Sequence, residues 1–431
     1  MDIENSEAEV KELIDIYPDD HKYLTFLKKV FRHQFRKNWF RRITTSNFEK
    51  RTTFETAFAG DEKMLANLID ASTWNVLISN HSVSIIRSYI ENSMEEAIQP
   101  IYLYYMDKVF SEAIDKKETF TIGVEVIGER DPILDSQTAF MAYTTLKKIG
   151  LWDGIKVKIN TFGNEKEITK YTEQIIDFYE NKKHLLAPET LSELDKNPFS
   201  VFQSEIEDEQ ILAKSMVPIT KFLKKDSKAH YERFKEYLSL LGVEYEEDHT
   251  LFLEENYYSH SMWTIEDADG DILVRGWRYD KISERLIGEK VVRPACWFSV
   301  DAEKLVALLK NKNISIRDKD TIDLYFVQLW DEAKKILLPL SLEARAAGIN
   351  TMISLGTPSM KEQIVKSQRI GAKFVVLVWI MEARSWVFQV RDMINGTQEE
   401  VKKEDIIQYV IDRIGEDMLD FYAPEKDLLQ N

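Results

Sequence analysis

Between residues 8 and 40 the apolar side chains recur at helical spacing. Leu27, Phe31, Phe35 and Trp39 fall on one stripe, and no proline follows Pro18, so the pattern predicts a long amphipathic helix. Helical spacing also marks 64–72, 82–96 and 135–149, the last ending near Gly150. Residues 101–112 and 119–128 read as strands. The second, Phe120-Thr121-Ile122-Gly123-Val124-Glu125-Val126-Ile127, is β-branched and stops at Gly128. Residues 154–160 alternate apolar and polar as a half-buried strand does. From about 165 to 240 the chain becomes helical and highly charged, broken at Pro188 and Pro198. Strand character returns over 249–300, around Asp267-Ala268-Asp269-Gly270-Asp271. A calcium loop would need flanking helices and a glutamate at its twelfth position, and here strands flank it. The run therefore reads as a hairpin turn. Residues 310–320 are polar and lysine-rich, as a linker is. Beyond them strand and helix alternate over 322–329, 331–347, 350–354, 359–369, 373–381, 385–391 and 404–416, which predicts a small α/β domain on a mostly parallel sheet.

Size and composition narrow the class. At roughly 100–200 residues per domain, 431 residues make two or three domains. The longest apolar run, Phe374 to Met381, falls well short of the ~20 residues that span a bilayer, so no membrane segment is expected. Residues 1–5 show neither the basic nor the apolar region of a secretory signal. The single cysteine, Cys296, excludes an internal disulfide and a multi-cysteine zinc site. These features point to the cytoplasm. The net charge of −17 repels nucleic acid at long range, so RNA binding would need a local basic surface. Lys28, Lys29, Arg32, His33, Arg36, Lys37, Arg41 and Arg42 supply one candidate. Its ordinary reading is the solvated face of the first helix. Glycine-rich phosphate loops, nucleophile elbows and His-Glu-x-x-His sequences are missing, and the seven histidines are scattered singly, so neither metal nor cofactor is expected. Tyr257-Tyr258 and Arg278-Tyr279-Asp280 are polar-aromatic clusters that suit either a pocket lining or a satisfied core. Motifs alone therefore lead no further than a multi-domain α+β protein.

A more specific signal lies in the order of several short segments. Gly371-Ala372, an apolar strand, Glu382 and then Val390-Arg391-Asp392-Met393-Ile394-Asn395-Gly396-Thr397-Gln398 resemble the anticodon-binding domain of histidyl-tRNA synthetases. Asn160-Thr161-Phe162-Gly163 resembles that family's N-x-x-G strand end, and Asn197-Pro198-Phe199-Ser200 its NPLR element. Tyr257-Tyr258 falls on the RGLDYY histidine loop and Arg278-Tyr279-Asp280 on the GGRYD loop. The resemblance covers nearly the whole chain. It implies an α+β fold, with a class II synthetase antiparallel core over 1–165 and 240–312 and a helical insertion at 166–239. An α/β anticodon-binding-like domain would follow at 320–431. It also implies a homodimer built through the first helix and strand, and tRNA or another RNA as a partner.

The same resemblance predicts lost chemistry. The motif 2 arginine that would hold ATP phosphates is Ser111, and the histidine-loop arginine is Leu253. The motif 3 arginine is Lys304, preceded by Asp301 in place of glycine; lysine keeps the charge but loses the planar fork. Asn80 stands where a glutamate would take the substrate amino group, Thr121 replaces the glutamine of HQ, and Ser46 replaces the motif 1 proline, although Glu49 is kept. Adenylate formation brings a carboxylate against the α-phosphate of ATP, which demands fixed positive charge. Removing one such donor costs ~10²–10³ in rate. The expectation is therefore a catalytically inactive relative acting as a binding or regulatory protein, the regulatory subunit of ATP phosphoribosyltransferase being one family precedent. An RNA-binding module and a divergent active histidine–tRNA ligase are the alternatives. Glu125, Tyr258 and Tyr279 fall on the imidazole-recognition positions, and a carboxylate with tyrosine hydroxyls can hold both ring nitrogens. With Tyr257 and Arg278 they form the candidate ligand-binding set, for histidine or a similar small molecule, unless all five persist as packing.

Overall fold

The structure, a computed structural model, describes residues 16–58, 75–110, 118–194, 196–252, 257–287, 293–314, 316, 321–328, 330–354 and 359–415. The helix expected at 64–72 lies outside them, as do Ser111 and Leu253. The chain divides into two compact units between Ile316 and Arg317.

The first unit carries strands β1 (Arg41–Arg42), β2 (Phe48–Lys50), β3 (Asn75–Leu77), β4 (Ile101–Val109), β5 (Thr119–Ile127), β6 (Lys156–Thr161), β7 (Glu246–Glu247), β8 (Ser259–Glu266), β9 (Ile272–Arg278) and β10 (Ala295–Asp301). Its helices are α1 (Pro18–Lys37), α2 (Arg51–Ala57), α3 (His81–Glu91), α4 (Ile133–Lys148), α5 (Glu165–Glu180), α6 (Pro188–Leu194), α7 (Glu207–Lys214), α8 (Lys225–Leu240), α9 (Asp280–Ile287) and α10 (Ala302–Asn311). Eight strands form one sheet in the order β1-β4-β5-β10-β9-β8-β6-β7. The six central strands are antiparallel to their neighbours, while the short edge strands β1 and β7 join in parallel.

Side-chain alternation sorts this sheet into two cores. On the rear face Ile122, Val124, Trp263, Phe298 and Val300 pack under α1, α4, α8 and α10. On the front face Tyr105, Ile127, Trp277, Tyr279 and Trp297 pack with α2, α3, α5 and α9. Because both faces are covered, β5 is buried along almost its whole length and reads as a continuous apolar run. Helix α1 turns Leu24, Leu27, Phe31 and Phe35 into the rear core, each burial being favourable by ~1.5–3 kcal/mol. The apolar stripe expected at Trp39 is corrected here. The helix ends at Lys37, Trp39 takes a left-handed φ of 67°, and its ring is 83% exposed. Phe40 enters the core instead, 6.2 Å from Phe35. Between β8 and β9 the acidic run closes a hairpin as predicted: Asp267 Oδ1 accepts the N–H groups of Asp269 and Asp271, and Gly270 takes φ +91°.

The second unit runs β11 (Leu324–Val327), α11 (Asp331–Ala346), β12 (Thr351–Ile353), α12 (Met360–Arg369), β13 (Phe374–Leu377), α13 (Ile380–Ser385), β14 (Val387–Asp392), β15 (Gln398–Lys402) and α14 (Ile406–Ile414). The sheet order is β12-β11-β13-β14-β15. Only the two pairings of β11 are parallel; β13, β14 and β15 form an antiparallel meander, so the sheet is mixed rather than mostly parallel. The strand expected to run through Met381 stops at Leu377, and a short helix starts at Ile380. No described helix is long and apolar enough to cross a membrane.

Candidate functional site

The front face gathers its polar groups where α3 begins. Asn80 is the N-cap of α3: its side-chain oxygen accepts the Ser82 N–H at 2.6 Å, which satisfies one of the helix's orphan donors. The same side chain donates its amide to Tyr257 Oη at 3.1 Å. The first turn of α3 thereby aims buried Ser82 at β5, and its hydroxyl donates to Glu125 Oε1 at 2.7 Å. The other carboxyl oxygen, Oε2, accepts from Tyr279 Oη, at the end of β9. Glu125 has no exposed surface, and both of its hydrogen-bonding partners are hydroxyls. Burial pushes its carboxyl up to about 8 against the opposing pull of the Tyr279 and Ser82 bonds, so it is predominantly protonated at neutral pH.

Aromatic rings close around this acid. The cross-strand ladder runs Glu125 to Trp297 to Trp277 to Met262 over β5, β10, β9 and β8. Trp277 meets Trp297 edge-on at 4.5 Å and meets Tyr258 edge-on at 4.5 Å. Tyr257 and Tyr258 lie 3.1 Å apart at their hydroxyls. His81 lies 4.2 Å from the Tyr105 ring, and burial lowers its imidazole to about 4, so it is neutral. The indole N–H groups of Trp277 and Trp297 and His81 Nε2 are buried and have no hydrogen-bond partner among the described residues.

Of the expected site residues, the structure brings Glu125, Tyr257, Tyr258, Tyr279 and Asn80 into this cluster. Arg278 goes elsewhere. Alternation sends it to the rear face, where it grips Asp135 of α4 through Nε and Nη2 at 3.3 and 2.5 Å, and donates to the Glu129 carbonyl at 2.8 Å. Thr121 lies further along β5 and donates to the Asp107 carbonyl at 3.0 Å, within the β4–β5 pair. Asp301 caps α10 by accepting the Lys304 N–H at 3.0 Å, and the Lys304 side chain is exposed. Glu49 holds Arg87 of α3 at 2.8 Å. Sequence reasoning missed Ser82, Trp277 and Trp297. One signal was available: Gly276-Trp277-Arg278-Tyr279-Asp280 puts an indole where the GGRYD loop has its second glycine. The basic helix residues divide. Lys28 lies over the Phe120 ring and Arg42 pairs with Asp107 at 2.9 Å, whereas Lys29, Arg32, His33, Arg36 and Lys37 stay exposed around one open depression.

A central sheet of six antiparallel strands with helices on both faces, followed by a small α/β unit, is the architecture of a class II aminoacyl-tRNA synthetase catalytic domain joined to an anticodon-binding domain. The histidyl-tRNA synthetase family model matches residues 12–305 and the anticodon binding domain model residues 301–413. The chain belongs to the histidyl-tRNA synthetase family. It is 29% identical to a histidine–tRNA ligase of Bacillus cytotoxicus over 340 residues, 77% of this chain and 80% of that one. It is 26% identical to one of Bacillus licheniformis over 411 residues, 92% of this chain and 96% of that one. The solved structure of apo S. aureus histidyl-tRNA synthetase superposes with a TM-score of 0.75 at 25% identity, over 93% of this chain and 98% of that one.

Proposed function

We propose that this chain is a non-catalytic member of its family that acts by binding, as a regulatory protein. The observation that carries this reading is the state of the front-face cluster, in which Asn80, Ser82, Glu125 and Tyr279 bond within the cluster. Asn80 caps α3 and bonds Tyr257 instead of presenting an acid to a substrate amino group. Glu125 is shut between Ser82 and Tyr279. Ser111 and Leu253 replace two arginines, and exposed Lys304 replaces a third. Adenylate formation needs preorganised positive charge at the phosphates, and each missing donor costs ~10²–10³ in rate. The division into a core at 1–165 and 240–312, an insertion at 166–239 and a binding domain at 320–431 belongs to the same proposal. So do a homodimer through α1 and its strand, and a cytoplasmic location.

ATP–pyrophosphate exchange with histidine tests it. No exchange above a protein-free control is the expected outcome. Exchange comparable with that of an active relative assayed alongside would restore the histidine–tRNA ligase reading. A second reading, tRNA or another RNA as ligand, is favoured by the five exposed basic side chains on α1 in a chain of net charge −17. Filter binding of tRNA across a salt series should then show affinity falling steeply with salt.

A further inference from the structure

Three features of the front face point the same way. Glu125 and Tyr279 have no exposed surface, and Tyr257 and Tyr258 have 0% and 1%. A ligand therefore reaches the acid only if something moves. The group standing beside Glu125 on the sheet is a pair of indoles: Trp297 is its direct cross-strand partner, and Trp277 is the next residue in the same row. Among the described residues neither buried indole N–H meets an acceptor, and the contacts of these rings are with Tyr258 and with each other. Burying an N–H without an acceptor is unfavourable, which is not what a ring retained for a structural hydrogen bond would show.

We propose that Trp277, seated on Tyr258 and Trp297, is a plug that decides whether this pocket admits a ligand. In the native chain the space in front of Glu125 and Tyr279 is filled by indole, and planar heterocycles of imidazole size are shut out. Trp297 backs the plug from β10. The inference rests on the reading of this cluster as the family's amino-acid site. It is independent of whether adenylate chemistry survives, because ligand binding and pyrophosphate exchange are separate measurements.

Removal of the plug should create a cavity lined by Glu125, Tyr258 and Tyr279, with polar partners for a ring N–H and a ring nitrogen. The experiment is calorimetric titration of the full-length protein with imidazole and with L-histidine. The native chain should give no heat at millimolar ligand, whereas Trp277→Gly and the milder Trp277→Ala should bind at least one of them, with affinity gained tenfold or more. Trp277→Phe keeps a plugging ring and should stay closed. Binding by the native chain at the affinity of Trp277→Ala would overturn the proposal, as would folded Gly and Ala variants that bind nothing. A measurement on the native chain covers the case in which those variants fail to fold. The indole N–H resonances of Trp277 and Trp297, identified with Trp277→Phe and Trp297→Phe, should not shift on adding histidine or imidazole. A ligand-dependent shift of either would show an open pocket and refute the plug.

Discussion

Arg278 and Tyr279 are adjacent in sequence, yet each ends on a buried carboxyl group on an opposite face of the same sheet. On the rear face Arg278 meets Asp135 as a fork on a carboxylate. Burial works against the guanidinium charge, but Asp135 more than offsets it and holds Arg278 protonated far above its ordinary range. On the front face Tyr279 meets Glu125 with Ser82 as the second donor, and burial pushes the acid up to about 8. Two carboxyl groups of similar burial thus differ in their partners: Asp135 shares its burial with a cation, whereas Glu125 meets only hydroxyls. The difference bears on function. On the proposed reading, adenylate chemistry would need fixed positive charge on the front face; there the buried acid is held by hydroxyls, while Arg278 faces the rear.

The largest expected effect comes from breaking the charged member of this pair. Arg278→Met leaves Asp135 buried without its cation and should cost about 3–5 kcal/mol of unfolding free energy, read by urea denaturation. Adding Asp135→Leu to Arg278→Met should recover most of that loss, because both charges are then gone. A single variant within 1 kcal/mol of the native chain would refute the assignment of Arg278 to a structural ion pair.

Smaller and pH-dependent is the effect at the neutral member. The Glu125 carboxyl has an ordinary value near 4.5 and a folded value of about 8. Between those values the folded state keeps a proton that the unfolded state has lost. Its contribution to stability is therefore fully present below about pH 4.5 and disappears as pH rises through 8. Glu125→Gln keeps an acceptor for Tyr279 and supplies a donor for Ser82, yet it never ionises. The variant should match the native chain near pH 5 and exceed it by about 2–3 kcal/mol at pH 8.5, at roughly 1.4 kcal/mol per pKa unit with some relaxation. Parallel stability curves across that range would mean that Glu125 is ionised in the fold.

How much of this was legible in the sequence differs between the faces. The stripe of Leu27, Phe31 and Phe35 and the β-branched run of β5 announce themselves, because burial repeats at the period of the element. Trp39 fits the same stripe, but the helix ends two residues earlier, and the left-handed turn is not written in any apolar pattern. β15 was missed because Gln398-Glu399-Glu400-Val401-Lys402 buries one side chain only; pairing with β14 makes it a strand, not its own alternation. Glu125, Tyr258 and Tyr279 were singled out as candidates through motif order. Trp297 was not, since its place beside Glu125 depends on the register between β5 and β10, which no local pattern encodes. The opposite destinations of Arg278 and Tyr279 follow from strand alternation alone, once β9 is known to reach Arg278.

The smallest effect separates the two roles of Asn80, at the start of α3. Its side-chain oxygen caps α3 through the Ser82 N–H, and its amide reaches Tyr257 Oη. Asn80→Ala removes both and should cost about 1 kcal/mol or slightly more, the usual range for a lost N-cap. Asn80→Asp keeps the cap and adds a charge that the positive end of the helix favours, yet it loses the amide donor to Tyr257. If capping is the main role, Asp should restore native stability at neutral pH, and the gain should fade as the carboxyl protonates in acid. If the Tyr257 bond matters more, Asp should be as destabilised as Ala. Helix α3 carries Ser82, and Ser82 holds Glu125, so the Ala variant should also weaken that hydrogen bond and raise the Glu125 carboxyl further. The midpoint of the native chain's stability decline should then move to higher pH in Asn80→Ala, while the Arg278–Asp135 pair on the rear face stays unaffected. A midpoint that does not move would show that the cap and the buried acid are energetically independent, and that the front-face cluster does not act as one unit.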